Sequence, residues 1–442
     1  MNSKVIIVIL IIFSIMMLAV LTNFLPSAVV LVPLGLIAIS SVFFSRGILI
    51  FLTILCLAFA TGGVPALQPL ALNFRWVFFT LFCLHIFGDI FLGRTVRKFK
   101  VFDMLAIIFI IYAFISASYS LYPKMTTERT MTVFALYFSV FWVIWKYAYD
   151  HGPEKVAHLV LQAAMFMFIL SYLMIFIGPY RPFMGGRFAG IFANPNGLGV
   201  MCAILLPLSL WQFLETQKRT ALFLFIIILL ALFLSAARGS INAAVIAVGY
   251  LMYVRAKKYR PLFTFSLISL ILIVMWVIET LIKEFFKSYI RVTTLSTLGG
   301  RLEAWQAAIN LFMDKAIFGY GFGTEGDIFK LKKITFRVHA GGFVHNSYLG
   351  MLLQLGMIGF IIFFIPLFVL LYKELFSKTQ DDSIPLLRYA LQASFIGGLI
   401  CCLYESWVYS VGNAQAFPFW IIIMLLLYYR YRKNEEPTLK SA

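Results

Sequence analysis

The chain has 442 residues, 62% of them hydrophobic and 12% charged, and its 36 Lys and Arg against 18 Asp and Glu give a formal charge of +18. A soluble domain is nearer half apolar and a quarter charged, so this composition excludes an ordinary water-soluble enzyme. The basic residues stand mostly in short links between apolar runs, without an aromatic-and-basic RNA motif or zinc-finger spacing, so nucleic acid is not the reason for the charge.

Apolar runs occupy about 5–22, 27–44, 47–60, 74–92, 101–120, 130–149, 156–177, 190–213, 220–236, 239–254, 262–282, 346–372, 385–405 and 412–431. A run of about 17 residues or more crosses a hydrocarbon core of about 30 Å as a helix. Backbone groups in lipid must be satisfied within one segment, and these runs do not alternate as barrel strands do. The expectation is an all-α polytopic membrane protein of about 12–14 transmembrane helices, fourteen preferred, with one large periplasmic or extracellular helical loop. The run after Lys4 lacks a small-residue cleavage site and reads as a helix, not a signal peptide. Cys56, Cys83, Cys202, Cys401 and Cys402 lie in apolar runs without metal or redox spacing and read as small apolar residues.

Arg46, the 94–100 cluster, Lys146, Lys155, Lys218, Arg219, the 255–260 cluster, Lys373, Lys378 and the 430–433 cluster fall on one side. By the positive-inside rule that side is cytoplasmic, and both termini with it. The other face receives the links 61–73, 122–129 and 178–196, Arg238, a basic polar island from about Lys283 to His345, and the link 405–413. Five segments result: N-terminal transmembrane helices (1–184), transmembrane helices with outer-face arginine motifs (185–282), the outer loop with amphipathic helices (283–345), C-terminal transmembrane helices (346–433) and a cytoplasmic tail (434–442). Within the island, Leu302, Trp305, Ala308, Ile309 and Phe312 recur at helical spacing after Gly299-Gly300, with Arg301 in the first turn. This helix is expected to end near Asp314, before a loop of Gly319-Tyr320-Gly321-Phe322-Gly323.

His345 stands at a bilayer boundary beside Asn346 and Ser347. It reads either as a side chain that takes and gives a proton or as an interfacial histidine wetting a helix end, and the residues alone leave both open. Arg187, Arg238 and Arg301 all fall near the outer face. Arginine forks match phosphate oxygens, but each alone also reads as snorkelling to lipid phosphate. The run 185–190 leading into Asn194-Pro195-Asn196-Gly197 places backbone N–H groups and amides near an anion, or simply turns the chain into a helix. Metal chemistry finds no carboxylate cluster beside His339 and His345, and no elbow motif supports a Ser–His–Asp arrangement.

Taken in order, several motifs resemble those of the O-antigen ligase and O-antigen polymerase superfamily. They are Gly186-Arg187-Phe188-Ala189-Gly190 with Asn194-Pro195-Asn196, Ser235-Ala236-Ala237-Arg238-Gly239, Gly300-Arg301-Leu302-Glu303-Ala304-Trp305, Gly319-Tyr320-Gly321-Phe322-Gly323 and His345-Asn346-Ser347-Tyr348. Residues 103–127, with Ser116-Ala117-Ser118-Tyr119-Ser120, also look like the family's amino-terminal half. The resemblance implies a polytopic glycosyltransferase of the bacterial inner membrane with its active face periplasmic or extracellular. It moves a glycan from an undecaprenyl diphosphate carrier to an acceptor hydroxyl, inverting the anomeric carbon without metal, cofactor or nucleotide sugar. The implied acceptor is lipid A–core for a ligase and another carrier-linked glycan for a polymerase, and motif spacing leans to the ligase. The catalytic residues it implies are His345, Arg301 and Arg238. Substrate binding falls to Arg187, Asn194, Asn196, Asn346 and Tyr348. The competing class is a polysaccharide or lipid transporter, since a broken helix pair such as 220–254 also marks carrier sites; no internal repeat accompanies it. A noncatalytic assembly partner would tolerate substitution of the arginines.

Overall fold

A computed structural model of the chain describes residues 45–94, 97–177, 182–256, 259, 300–336, 342–376, 384–410 and 412–432. Every apolar run that falls there is helical. The first helices are α1 (Arg46–Phe59), α2 (Gln68–Phe91), α3 (Val101–Ile115) and α4 (Pro123–Phe138), which continues through a π-helical turn (Ser139–Ile144) into α5 (Trp145–His151). Next come α6 (Pro153–Leu173), α7 (Pro195–Thr216), α8 (Arg219–Ser235) and α9 (Arg238–Ala256). The polar island supplies α10 (Arg301–Asp314) and α11 (Glu325–Leu331), and α12 (Ser347–Phe376), α13 (Leu386–Cys401) and α14 (Ala416–Arg432) follow. Among the described residues, 7 helical stretches are long and apolar enough to cross a membrane, and four shorter apolar helices accompany them. The chain is thus an all-α polytopic membrane protein. The runs at 5–22, 27–44 and 262–282, the island up to residue 299 and the tail 434–442 lie outside the described residues.

Outward-facing side chains are those of a lipid-solvated surface: Leu84, Phe87 and Phe91 on α2 and Ile108, Ile111 and Phe114 on α3 are exposed. The centre is α7, apolar on every face and buried from Leu198 to Trp211, as expected of a helix with no polar stripe. It packs against α8, α9 and α13. Around it, α1 packs on α2 and α6, and α3 on α12.

The island folds onto this bundle with a small core of its own, in which Ala304, Ala308 and Leu311 of α10 meet Tyr320, Ile328, Phe329, Val344 and Leu353. The helix expected there is present with its expected end, but its inward stripe is rotated. Leu302 and Ile309 are exposed, and the small Ala304 and Ala308 face inward because α10 lies closely along α12. A second difference is at 183–188, expected as a loop. Phe183–Met184 and Arg187–Phe188 pair as an antiparallel hairpin. Its two-residue turn is Gly185-Gly186 with φ of 56° and 73°, and positive φ at both central positions is the turn geometry that suits strand twist.

Candidate functional site

A polar cavity of about 550 Å³ lies where α2, α4, α7 and α12 meet the segment 402–416; its charged and amide lining includes Arg75, Arg129, Asn194, Glu325, His345 and Glu405. It sits at the N-terminal ends of α7 and α12, on the face that the charge pattern assigns to the outside.

His345 occupies the left-handed region with φ of 53°. That conformation costs a non-glycine residue about 1–2 kcal/mol and persists only where its surroundings over-determine it. They do so here from both sides. Val344 donates its N–H to Glu325 Oε1 at 2.9 Å, and its carbonyl accepts from Trp305 Nε1 at 3.0 Å. Asn346 donates its N–H to Ser406 Oγ at 3.1 Å. Its side-chain oxygen caps α12 by accepting from the N–H groups of Tyr348 at 2.9 Å and Leu349 at 3.1 Å, which is what an Asn before a helix does best. Ser347 ties the same turn to the 402–410 segment: its N–H reaches Cys402 O at 2.7 Å and its hydroxyl reaches Glu405 O at 2.7 Å.

That segment delivers Glu405, whose carboxylate is shared. Arg301 Nη2 donates to Oε1 at 2.5 Å and His345 Nδ1 to Oε2 at 2.9 Å. A carboxylate oxygen only accepts, so Nδ1 is the donor to Glu405, and in the neutral form of the ring that leaves the lone pair to Nε2. A carboxylate partner on Nδ1 fixes the tautomer of a neutral histidine, an arrangement that general bases use.

Behind His345 lies a second carboxyl group. Glu325, the first residue of α11, is almost wholly buried. Its Oε2 receives Tyr409 OH at 2.6 Å and Gln354 Nε2 at 3.2 Å, and Gln354 Oε1 in turn accepts from Gly323 N–H at 2.6 Å. Burial raises its carboxyl pKa above the ordinary value, opposed by hydrogen bonds from Ser406, Tyr409 and the Val344 N–H and by the field of His345.

The motif 319–323 docks this assembly onto the N-terminal half. Phe322 N–H reaches Ser116 Oγ at 3.1 Å, and Thr126 Oγ1 donates to Phe322 O at 2.8 Å. Gly323 has φ of +83°, and a Cβ there would fall 2.3 Å from Arg129 Cδ. Glycine therefore lets Arg129 cross close to the backbone and donate Nη1 to Gly323 O. On the same side, α12 kinks at Gly356, and the freed N–H of Met357 pairs with Ala316 O at 2.8 Å.

The residues singled out from sequence form two neighbouring groups. His345, Arg301 and Asn346 come together around Glu405. Arg187, Asn194 and Asn196 come together at the start of α7. There Arg187 donates Nη2 to Asn196 Oδ1 at 2.6 Å and Nε to Ser235 O at 2.7 Å, and Asn194 caps the helix by accepting Asn196 N–H at 2.8 Å. Asn194 lines the cavity. Arg238 begins α9; next to it Gly239 packs under Tyr404, where a Cβ would meet the ring at 2.5 Å, so Arg238 neighbours the turn that carries Glu405. Tyr348 points elsewhere: its hydroxyl reaches Leu399 O at 2.8 Å and its ring packs on Phe364 with centroids 4.6 Å apart. His339 and Arg337 lie outside the described residues. Among the described residues, no three His, Cys, Asp or Glu side chains gather as a metal site would need.

Sequence reasoning did not single out Glu405, Glu325, Arg75 or Arg129. One signal was available: Arg129 and Glu405 are the charged residues at the ends of outer-face links. Tyr409 is shared with an apolar crevice lined by Phe109, Tyr137, Phe363, Leu367 and Trp420, which opens between α3, α4, α12 and α14.

Compared with known proteins, residues 223–364 match the O-antigen ligase family. A Rickettsia conorii protein named "Putative polysaccharide ligase" is 24% identical over 345 residues, covering 73% of this chain and 79% of its own length. An uncharacterized Haemophilus influenzae protein is 27% identical over 175 residues, covering 35% of this chain and 43% of its own. These matches bear out the resemblance to the O-antigen ligase superfamily. The family segment contains Arg238, Arg301 and His345; Arg75, Arg129, Arg187 and Glu405 lie outside it.

Proposed function

We propose that this chain, with its O-antigen ligase segment as the premise, is a glycosyltransferase that moves a glycan from a polyprenyl (undecaprenyl) diphosphate carrier to an acceptor hydroxyl. The reaction takes place in the polar cavity, on the periplasmic or external side of a bacterial inner membrane. The observation that carries this reading is the Arg301–Glu405–His345 array at the cavity wall. His345 takes the acceptor proton on Nε2 as the hydroxyl oxygen attacks the anomeric carbon. The bond from that carbon to the diphosphate oxygen breaks on the opposite face, so configuration inverts. Negative charge grows on the leaving diphosphate, and fixed cations answer it in a site that needs little reorganisation. Arg301 and Arg238 take that role, and the hairpin of Arg187 with Asn194 and Asn196 borders the donor. Asn346 and Tyr348 act by holding the start of α12. The prenyl tail lies between helices on the lipid-facing side.

Lipid A–core is the acceptor in this reading. The test is incubation of purified protein with an undecaprenyl-diphosphate glycan, with and without lipid A–core, in the presence of chelator. Transfer to lipid A–core supports the ligase. Longer carrier-linked glycan without that acceptor makes the protein a polymerase. No product with either acceptor, with the carrier moved across a bilayer instead, assigns it to transport.

A further inference from the structure

Arg75 is the feature that the motif-based roles leave unexplained. It stands on α2, seven residues after Gln68, which places it about 10 Å below the outer end of the helix at 1.5 Å per residue. An arginine at that depth is costly and ordinarily has a partner or a cavity. The side chain lines the polar cavity, and its Nε is buried without a hydrogen-bond partner. Among the described residues no hydrogen bond or ion pair reaches its guanidinium; it lies over the Trp76 ring at 5.5 Å. The two carboxylates lining the same cavity are engaged elsewhere, Glu405 by Arg301 and His345 and Glu325 by Val344, Tyr409 and Gln354. Arg129, which lines the same cavity, uses Nη1 on Gly323 O and keeps further N–H donors of its five. Arg301 already shares its charge with Glu405. The cavity therefore has a cation without a counter-ion and a second one only partly used.

We propose that Arg75 and Arg129 form the ground-state seat of a diphosphate, gripping its oxygens directly before Arg301 and Arg238 meet the charge that grows as it leaves. This rests on the glycosyl-transfer reading for the source of the anion, the carrier-lipid headgroup. The seat itself follows from the unanswered charge. Guanidinium forks suit it because each offers paired N–H donors to two phosphate oxygens. Both arginines come from helices outside the family-matched segment, so the N-terminal half supplies the grip and the C-terminal half the base.

The test is binding to purified full-length protein in maltoside micelles free of phosphate. Three probes are used: undecaprenyl diphosphate, inorganic diphosphate and undecaprenol. Wild type is expected to bind both diphosphates, the lipid-linked one more tightly. Arg75→Ala should weaken both by about 10- to 100-fold and leave undecaprenol unchanged, with Arg75→Lys between the two. Loss of lipid-linked binding alone would make the prenyl chain, not the anion, what Arg75 senses, and overturns the proposal. So does binding of undecaprenyl diphosphate by Arg75→Ala within about twofold of wild type. A second readout separates a grip from a structural role. In the empty protein the Arg75 guanidinium has the Trp76 ring at 5.5 Å and no ion pair among the described residues, a weak contact, so the unfolding temperature of Arg75→Gln without ligand should stay within about 2 °C of wild type, and a larger fall refutes the assignment. The two readings fail separately. Arg75-dependent diphosphate binding without glycan transfer keeps the seat and removes the glycosyltransferase. Transfer with an unchanged donor KM in Arg75→Ala does the reverse.

Discussion

Replacing Glu405 by Gln changes one atom and should disable the base. In the native site the two carboxylate oxygens accept from Arg301 at 2.5 Å and from His345 Nδ1 at 2.9 Å, and the side chains of Glu405, Arg301 and His345 are 13%, 20% and 24% exposed, so solvent screens these bonds little. A glutamine keeps one acceptor. Its carbonyl stays with the guanidinium, which has only donors, and the amide N–H₂ then faces Nδ1. The ring must accept there, so its proton moves to Nε2 and the lone pair needed by the acceptor hydroxyl is lost. A charge-assisted hydrogen bond of this kind contributes about 1.5–3 kcal/mol, which is about 10- to 150-fold in rate. Losing the base outright removes about 10²–10⁴. The expected fall in kcat for Glu405→Gln is therefore at least about 100-fold, with donor KM within a few-fold and the fold intact, because Ser347 and Cys402 hold the turn through backbone groups. The assay is transfer of a radiolabelled glycan from an undecaprenyl diphosphate donor under saturating acceptor, beside thermal unfolding of the same preparation. A Glu405→Gln protein that unfolds like wild type and keeps kcat within about threefold refutes the shared-carboxylate mechanism.

Three further expectations follow from the same geometry. Gly323→Ala places a Cβ 2.3 Å from Arg129 Cδ at φ of +83°, so it should destabilise by about 1–3 kcal/mol and raise donor KM; unchanged unfolding and kinetics would show that the crossing is loose. Trp305→Phe removes the bond from Nε1 to Val344 O, worth about 1 kcal/mol, and loosens the strained His345; kcat should fall more than KM, and a pure KM effect would contradict the positioning role. Burial lifts the Glu325 carboxyl above its unfolded value, so the folded state holds that proton more tightly. Its contribution is complete below the ordinary carboxyl pKa and lost as pH rises through the raised one. The unfolding temperature of wild type should therefore decline relative to Glu325→Gln as pH rises above the ordinary carboxyl range, and a pH-independent difference would exclude Glu325 as the titrating group.

The sequence alone determined which stretches are membrane helices, because an apolar run in lipid has one way to satisfy its backbone. Eleven apolar helices overlap these runs, two of them, Gln68–Phe91 and Pro123–His151, beginning about six or seven residues before the apolar stretch. It also marked His345, Arg301 and Asn194, since a histidine or arginine at a bilayer boundary stands out against apolar surroundings. What it did not decide is which side chains meet. Glu405 joins His345 across 60 positions and Arg301 across 104; Arg129 reaches Gly323 across 194. Nothing local encodes such pairings. They arise from how α2, α4, α7 and α12 converge on one cavity, from the kink at Gly356, and from the turn that strains His345. The rotated stripe of α10 has the same origin. Both Leu302 and Ala304 suit a helix, and only the closeness of α12 selects the small residue for the inside.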